Sequence, residues 1–171
     1  MDLKNVKEDP KIYFIALTFV NLLNYIDRGI IPGSTNEFNA FIKDDLDTDQ
    51  PDVYLGLLQS SFIIGFSIAV IVFSNLLHYY SPFFICGVGL SIWVLAVILS
   101  GVAKYTGSYY FLLICRMLSG VGEASFQCSI PPWIAKNANP ESRGKWLSIF
   151  FTAIPLGIAI GYNILKSILI I

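Results

Sequence analysis

Five apolar runs, each about twenty residues or longer, dominate the chain and leave it few folds. A bilayer's hydrocarbon core is about 30 Å thick and needs roughly 20 apolar residues per spanning helix. The runs at 12–32, 53–77, 82–103, 109–135 and 146–171 meet that length. They are too long and too uniformly apolar for the strands of about 10 alternating residues that build a membrane barrel. The expectation is an all-α, polytopic transmembrane helix bundle behind a short cytosolic tail at 1–11. Composition agrees: 13% of the 171 residues are charged and 55% are hydrophobic, whereas a soluble domain carries about 25% charge.

The connections are short, as expected for antiparallel neighbours. The turn at 78–82 makes a tight hairpin of the second and third spans, and 104–108, with Gly107, makes the next. In 137–145, Asn139-Pro140-Glu141 reads as an N-cap, an N1 proline and an acidic first turn. The 37–52 segment, with six acidic residues and one lysine, reads as a solvated loop with room for a short helix. With the N-terminus inside, Lys4, Lys7, Lys11, Lys136, Arg143 and Lys145 face the cytosol, against Lys43, Lys104 and Lys166 outside. That excess favours a cytosolic N-terminus. The lysines before the first run loosely resemble a signal peptide, but the run is too long and lacks a small-residue cleavage site.

Several function classes fall away. A net charge of −1 gives no electrostatic footprint for nucleic acid. Cys86, Cys115 and Cys128 have no CxxC spacing, and His78 is the single histidine, so neither a disulfide framework nor a metal site is expected. The cysteines read as small packing residues, and His78 as an interfacial one. No HExxH, GxSxG or Walker pattern is present, so neither an enzyme nor a cofactor is expected.

The informative residues are polar ones inside apolar runs: Asn21, Asn24, Asp27 and Arg28 in the first span, Arg116 and Glu123 in the fourth. An ionisable side chain at a helix centre costs at least roughly 2.5–3.5 kcal/mol on insertion scales and usually marks a transport pathway. At about 1.5 Å per residue, Asp27 lies about 24 Å along its helix from Lys11. Counted back from Lys136, Glu123 is about 20 Å up and Arg116 about 30 Å up. The depths allow two acids and two bases to share one cavity. The bland alternative is a buried ion-pair network that only fixes packing; the sharper one is a protonation or substrate-headgroup site.

Small residues supply close contacts or moving parts. Gly157 and Gly161 form a GxxxG face just after Pro155, Ser61 and Gly65 repeat the spacing in the second span, and Gly120 and Gly122 precede Glu123. Close helix approach is the ordinary explanation, and a sliding surface for alternating access the further one.

Three ordered motifs carry a resemblance. Asn24-Tyr25-Ile26-Asp27-Arg28, then Arg116-Met-Leu-Ser-Gly-Val-Gly-Glu-Ala-Ser125, then Arg143-Gly-Lys-Trp-Leu-Ser-Ile-Phe-Phe-Thr-Ala-Ile-Pro-Leu-Gly-Ile-Ala-Ile-Gly-Tyr162 resemble the spinster-type transporters of the major facilitator superfamily. The resemblance covers about 20–162. It implies twelve helices in two halves, with this chain holding most of the first and a C-terminal half as its missing partner. It also implies a lipid-like substrate, lysophospholipid or sphingosine phosphate, often with proton coupling. On that reading Asp27 and Arg28 match the family's span-one charged pair, and Glu123 and Arg116 its span-four acid and base. Pro155, Gly157, Gly161 and Arg143 would serve gating or helix packing.

One stretch departs from the pattern. Superfamily members usually carry Gly-x-x-x-Asp-Arg-x-Gly-Arg-Arg between spans two and three, and Ser74-Asn-Leu-Leu-His-Tyr-Tyr-Ser-Pro-Phe83 stands there without aspartate or arginine. The leading expectation is a multi-pass carrier of a small amphipathic solute in the endolysosomal or plasma membrane, with H+ as candidate co-substrate. The alternative is a truncated or diverged paralogue without transport activity, acting as a membrane partner or regulator. A carrier of a hydrophilic solute such as a sugar would show more polar cavity residues.

Overall fold

The computed structural model describes residues 10–169. Among them lie six helices and no strand: α1 (Pro10–Gly33), α2 (Thr35–Leu46), α3 (Pro51–Leu76), α4 (Pro82–Thr106), α5 (Tyr109–Asn137) and α6 (Arg143–Leu169). Most of the expected 1–11 tail, including Lys4 and Lys7, lies outside the described residues, and Pro10 and Lys11 open α1.

Local chemistry sets the ends. Pro51 and Pro82 sit in the first turns of α3 and α4, where a missing N–H costs nothing. Ser81 caps α4 by accepting from the Phe84 N–H at 3.4 Å. Gly107 ends α4 at φ 59°, a left-handed conformation that glycine adopts without penalty. Asp47 ends α2 at φ 46°, a conformation aspartate tolerates better than most side chains.

Two expectations shift. The acidic 37–52 segment is helical over most of its length, as α2. The Asn139-Pro140-Glu141 helix start moves three residues on: the Asn139 carbonyl accepts from the Ser142 and Arg143 N–H groups at 2.9 Å, closing a turn before α6 begins.

Among the described residues, four helices are long and apolar enough to cross a membrane: Pro10–Gly33, Pro51–Leu76, Pro82–Ala103 and Arg143–Ile164. The α5 helix has the length, at 29 residues, but not the same apolarity, because it carries Arg116, Glu123 and Gln127. Ile63, Ile64, Ile68 and Ile71 on α3 are each 50–66% exposed. An unbroken aliphatic row of that kind is stable against acyl chains and not against water.

The helices fall into two compact units, one of α1, the end of α5 from Pro132 and α6, the other of 34–131. The division falls between Pro131 and Pro132 of α5, where two successive residues lack an N–H and the helical ladder loses two rungs. In the first unit the α1 and α6 backbones touch. A Cβ built on Gly29 would land on the Ile158 carbonyl oxygen, and one on Gly161 on the Ile26 carbonyl oxygen. One on Gly157 would lie 2.7 Å from Tyr25 Cβ. In lipid, helices associate through such close packing rather than through a hydrophobic drive. The Phe14 and Trp146 rings stack at 4.4 Å, and Tyr13 meets Trp133 edge-on at 6.4 Å.

In the second unit α5 is gripped on two sides. Gly65 of α3 faces the Met117 carbonyl, and Gly120 of α5 faces the Phe62 carbonyl. A Cβ on Gly122 would come within 2.6 Å of the Gly89 oxygen and Trp93 nitrogen of α4. Ala69, Phe73, Ile85 and Ala124 form the apolar centre. At the other end Tyr109, fully buried, fastens three helices. Its N–H donates to Asp45 Oδ2 of α2 at 2.7 Å, and its hydroxyl donates to the Tyr54 carbonyl of α3 at 2.8 Å.

Candidate functional site

The α1 helix presents Asn21, Asn24 and Arg28 at i, i+3 and i+7, one face of a helix, with Asp27 turned partly aside. Both asparagines are 0% exposed, yet they differ in bonding. The Asn21 Nδ2 donates to the Phe150 carbonyl of α6 at 2.9 Å. The Asn24 Nδ2 and Oδ1 are both buried and make no hydrogen bond. Asp27 and Arg28 are half-buried, and the Arg28 guanidinium carbon stands 5.3 Å from the centre of the Tyr25 ring, a cation–π distance.

Gly29 is the reason this polar segment can lie flat against α6. Only a residue without Cβ fits against Ile158, Gly161 and Tyr162, so the backbone that carries Asp27 and Arg28 is held by direct contact. Sequence reading singled out Gly157 and Gly161 and overlooked Gly29 and Gly33. Their signal was the i, i+4 small-residue spacing that answers the α6 pair.

On α5, Arg116 is 6% exposed and Glu123 is fully buried. They are seven residues apart and share a face. Ser119, between them on that face, is 1% exposed, and its hydroxyl makes no hydrogen bond. Sequence reading passed over it, although its i+3 spacing from Arg116 was visible. Gly120 and Gly122 hold Glu123 rigidly, because the contacts they make are to the backbones of α3 and α4. Trp93, packed on Gly122, buries an indole N–H that makes no hydrogen bond.

Between α1 and α6 runs an apolar groove of about 450 Å³, lined by Phe14, Phe19, Leu22, Ile149 and Leu156 among others. Its two threonines offer no outward hydroxyl: Thr18 donates to the Phe14 carbonyl at 2.8 Å and Thr152 to the Ser148 carbonyl at 2.7 Å. Arg143 opens α6 and is exposed, as is Pro155. Among the described residues no group of three His, Cys, Asp or Glu side chains is placed to hold a metal ion. Cys86, Cys115 and Cys128 are free thiols, two of them buried.

Long helices with aliphatic outer faces, two of them carrying an acid and a base within their length, define a multi-pass membrane helix bundle. The chain belongs to the Major Facilitator Superfamily, whose family model matches residues 17–170. It is 37% identical over 166 residues to "Probable sphingolipid transporter spinster homolog 2" of Arabidopsis thaliana, a match covering 90% of this chain and 33% of that protein. It is 34% identical over 147 residues to "Protein spinster" of Drosophila melanogaster, covering 86% and 23%. Against "Protein spinster homolog 1" of Xenopus laevis it is 36% identical over 157 residues, covering 88% and 27%. The matched stretch thus spans 23–33% of the length of these relatives.

Proposed function

We propose that this chain supplies the first helices of a carrier that moves an amphipathic lipid across a membrane by alternating access. Five spans are proposed, α5 being the fourth in chain order, with the N-terminus in the cytosol on the excess of lysine and arginine there. The observation that carries the reading is the burial of Arg116 and Glu123 inside the 29-residue α5 helix of a chain whose relatives include a protein named as a probable sphingolipid transporter. Charges so placed are retained for a task, since hydrocarbon penalises them.

In this proposal Asp27 and Glu123 exchange protons, while Arg28 on α1 and Arg116 on α5 are each suited to meet an anionic headgroup. Arginine suits a phosphate because its planar fork offers two parallel N–H donors. The α1–α6 groove supports a lipid over a sugar, because its walls are apolar and its hydroxyls are spent on their own helices. Gly157, Gly161 and Pro155 would let α6 shift against α1 without a side chain to clear.

A second reading, a diverged paralogue without transport, draws on the 74–83 turn. It lacks the family's charges, and the His78 Nδ1 lies 3.2 Å from the Ser74 carbonyl in the last turn of α3. Proteoliposomes decide between the two. Uptake of a lysophospholipid or sphingoid phosphate, and not of hexoses or amino acids, is the expected outcome. Uptake of a hexose alone overturns the lipid substrate, and no uptake of any solute favours the second reading.

A further inference from the structure

We propose that Asn24 reads a hydroxyl group of the lipid headgroup and so sets substrate preference, an inference that rests on the lipid-carrier reading above. The observation behind it is the contrast between two asparagines one turn apart. Both are fully buried on the same face of α1. Asn21 spends its amide on the Phe150 carbonyl and so has a packing role. Asn24 has a donor and an acceptor in the same buried position, and neither makes a hydrogen bond. A buried amide left unsatisfied weakens a folded protein more than an apolar side chain of equal shape. Its presence at mid-helix is explained by a ligand that supplies the missing bonds.

The chemistry of the amide selects the ligand group. A carboxamide offers N–H donors and a carbonyl acceptor in one plane. An ammonium group, donor only, would be served by a carboxylate; a phosphate, acceptor only, by arginine. A group that both donates and accepts, an alcohol, is the match for asparagine. Position agrees. Asn24 and Arg28 are four residues apart, on one face and about 6 Å along the axis. A headgroup whose phosphate meets Arg28 brings the backbone hydroxyl of a sphingoid or lysoglycerol lipid next to Asn24, a few bonds away. Leu23 on one side is an exposed apolar residue and offers no competing polar contact.

The test uses the full protein in proteoliposomes with two radiolabelled lipids, sphinganine 1-phosphate and its 3-deoxy analogue. The wild-type protein is expected to prefer the hydroxylated lipid about tenfold in kcat/KM, the ratio that corresponds to one hydrogen bond. Asn24→Leu should abolish the preference by raising KM for the hydroxylated lipid alone, with the detergent melting temperature equal to or above wild type. Asn24→Ala should lose the preference in the same way and covers the case in which leucine is too large to fold. Asn24→Ser, with a donor and an acceptor on a shorter arm, should retain part of it. Equal transport of both lipids by the wild type overturns the role of Asn24 while leaving the carrier intact. A lowered melting temperature with both lipids weakened alike makes Asn24 a packing residue and overturns it too. Transport of neither lipid by the wild type sinks the lipid-carrier reading, and this inference with it.

Discussion

Asn21 of α1 donates its side-chain N–H to the backbone carbonyl of Phe150 in α6 at 2.9 Å, five residues before Pro155. The bond joins residues 129 apart in sequence, in a region where neither partner meets water. Along α1 it lies within about a turn of the point where the two helices touch at Leu22, Tyr25 and Gly157. Hydrogen bonds between membrane helices contribute about 0.6–2 kcal/mol. Asn21→Ala should therefore lower stability by about 1 kcal/mol, read as a fall in thermal midpoint in detergent. A midpoint that does not move would leave glycine contact alone to hold the pair.

The glycines themselves make a sharper forecast, because their surroundings differ. At Gly29 and Gly161 an added methyl meets backbone atoms of the opposite helix, which cannot rotate away. At Gly87 and Gly101 it meets nothing within 4 Å. Gly161→Ala should cost about 1–3 kcal/mol by overpacking. Gly101→Ala should be neutral or should stabilise by about 0.5–1 kcal/mol, through the lower conformational entropy of alanine in the unfolded helix. Equal effects at the two sites in a thermal-shift series would mean that the crossing yields easily.

Much of this architecture was legible in the residues because lipid is an unforgiving solvent. The helices from Pro10, Pro51 and Pro82 had to satisfy their own backbone bonds, so apolar length alone located them. The α2 helix was legible only as room for a short helix in a loop. Its run of acids resembles a solvated loop, and what steadies it is the Asp45 carboxylate on the Tyr109 N–H, 64 residues away. Hydrophobic period cannot report so distant a partner. The charged residues stood out by cost, but nothing in composition separates Asn21, which is bonded, from Asn24, which is not. Gly29 and Ser119 were likewise visible as spacings and gained meaning from their neighbours.

The Asp45–Tyr109–Tyr54 clasp is testable in its parts. Asp45 accepts from the first N–H of α5, so it acts as an N-cap supplied by another helix and meets the positive end of the α5 dipole. Losing an N-cap costs about 0.5–2 kcal/mol, and losing the Tyr109 hydroxyl about 0.5–1.5 kcal/mol. Asp45→Ala and Tyr109→Phe should each lower the melting temperature. The double variant should lose less than the sum of the two, since both bonds secure the same helix end. Strict additivity would show two independent contacts and no clasp.

The proposed proton step makes the last forecast. A carboxylate that exchanges protons during transport gives uptake a dependence on pH, whereas a carboxamide of the same shape has one state at every pH. Asp27→Asn should thus flatten the pH profile of lipid uptake while leaving the protein folded, since Asp27 is only half-buried. Glu123 differs in setting: it is fully buried beside Gly120 and Gly122, whose contacts to α3 and α4 are backbone to backbone. Glu123→Gln keeps its volume, so uptake should fall at least tenfold, about 1.4 kcal/mol, with expression and melting temperature near wild type. A variant that no longer folds would make Glu123 part of a packing network instead. An Asp27→Asn protein with the wild-type pH profile would remove Asp27 from the coupling step and leave Glu123 as the remaining acid to carry it.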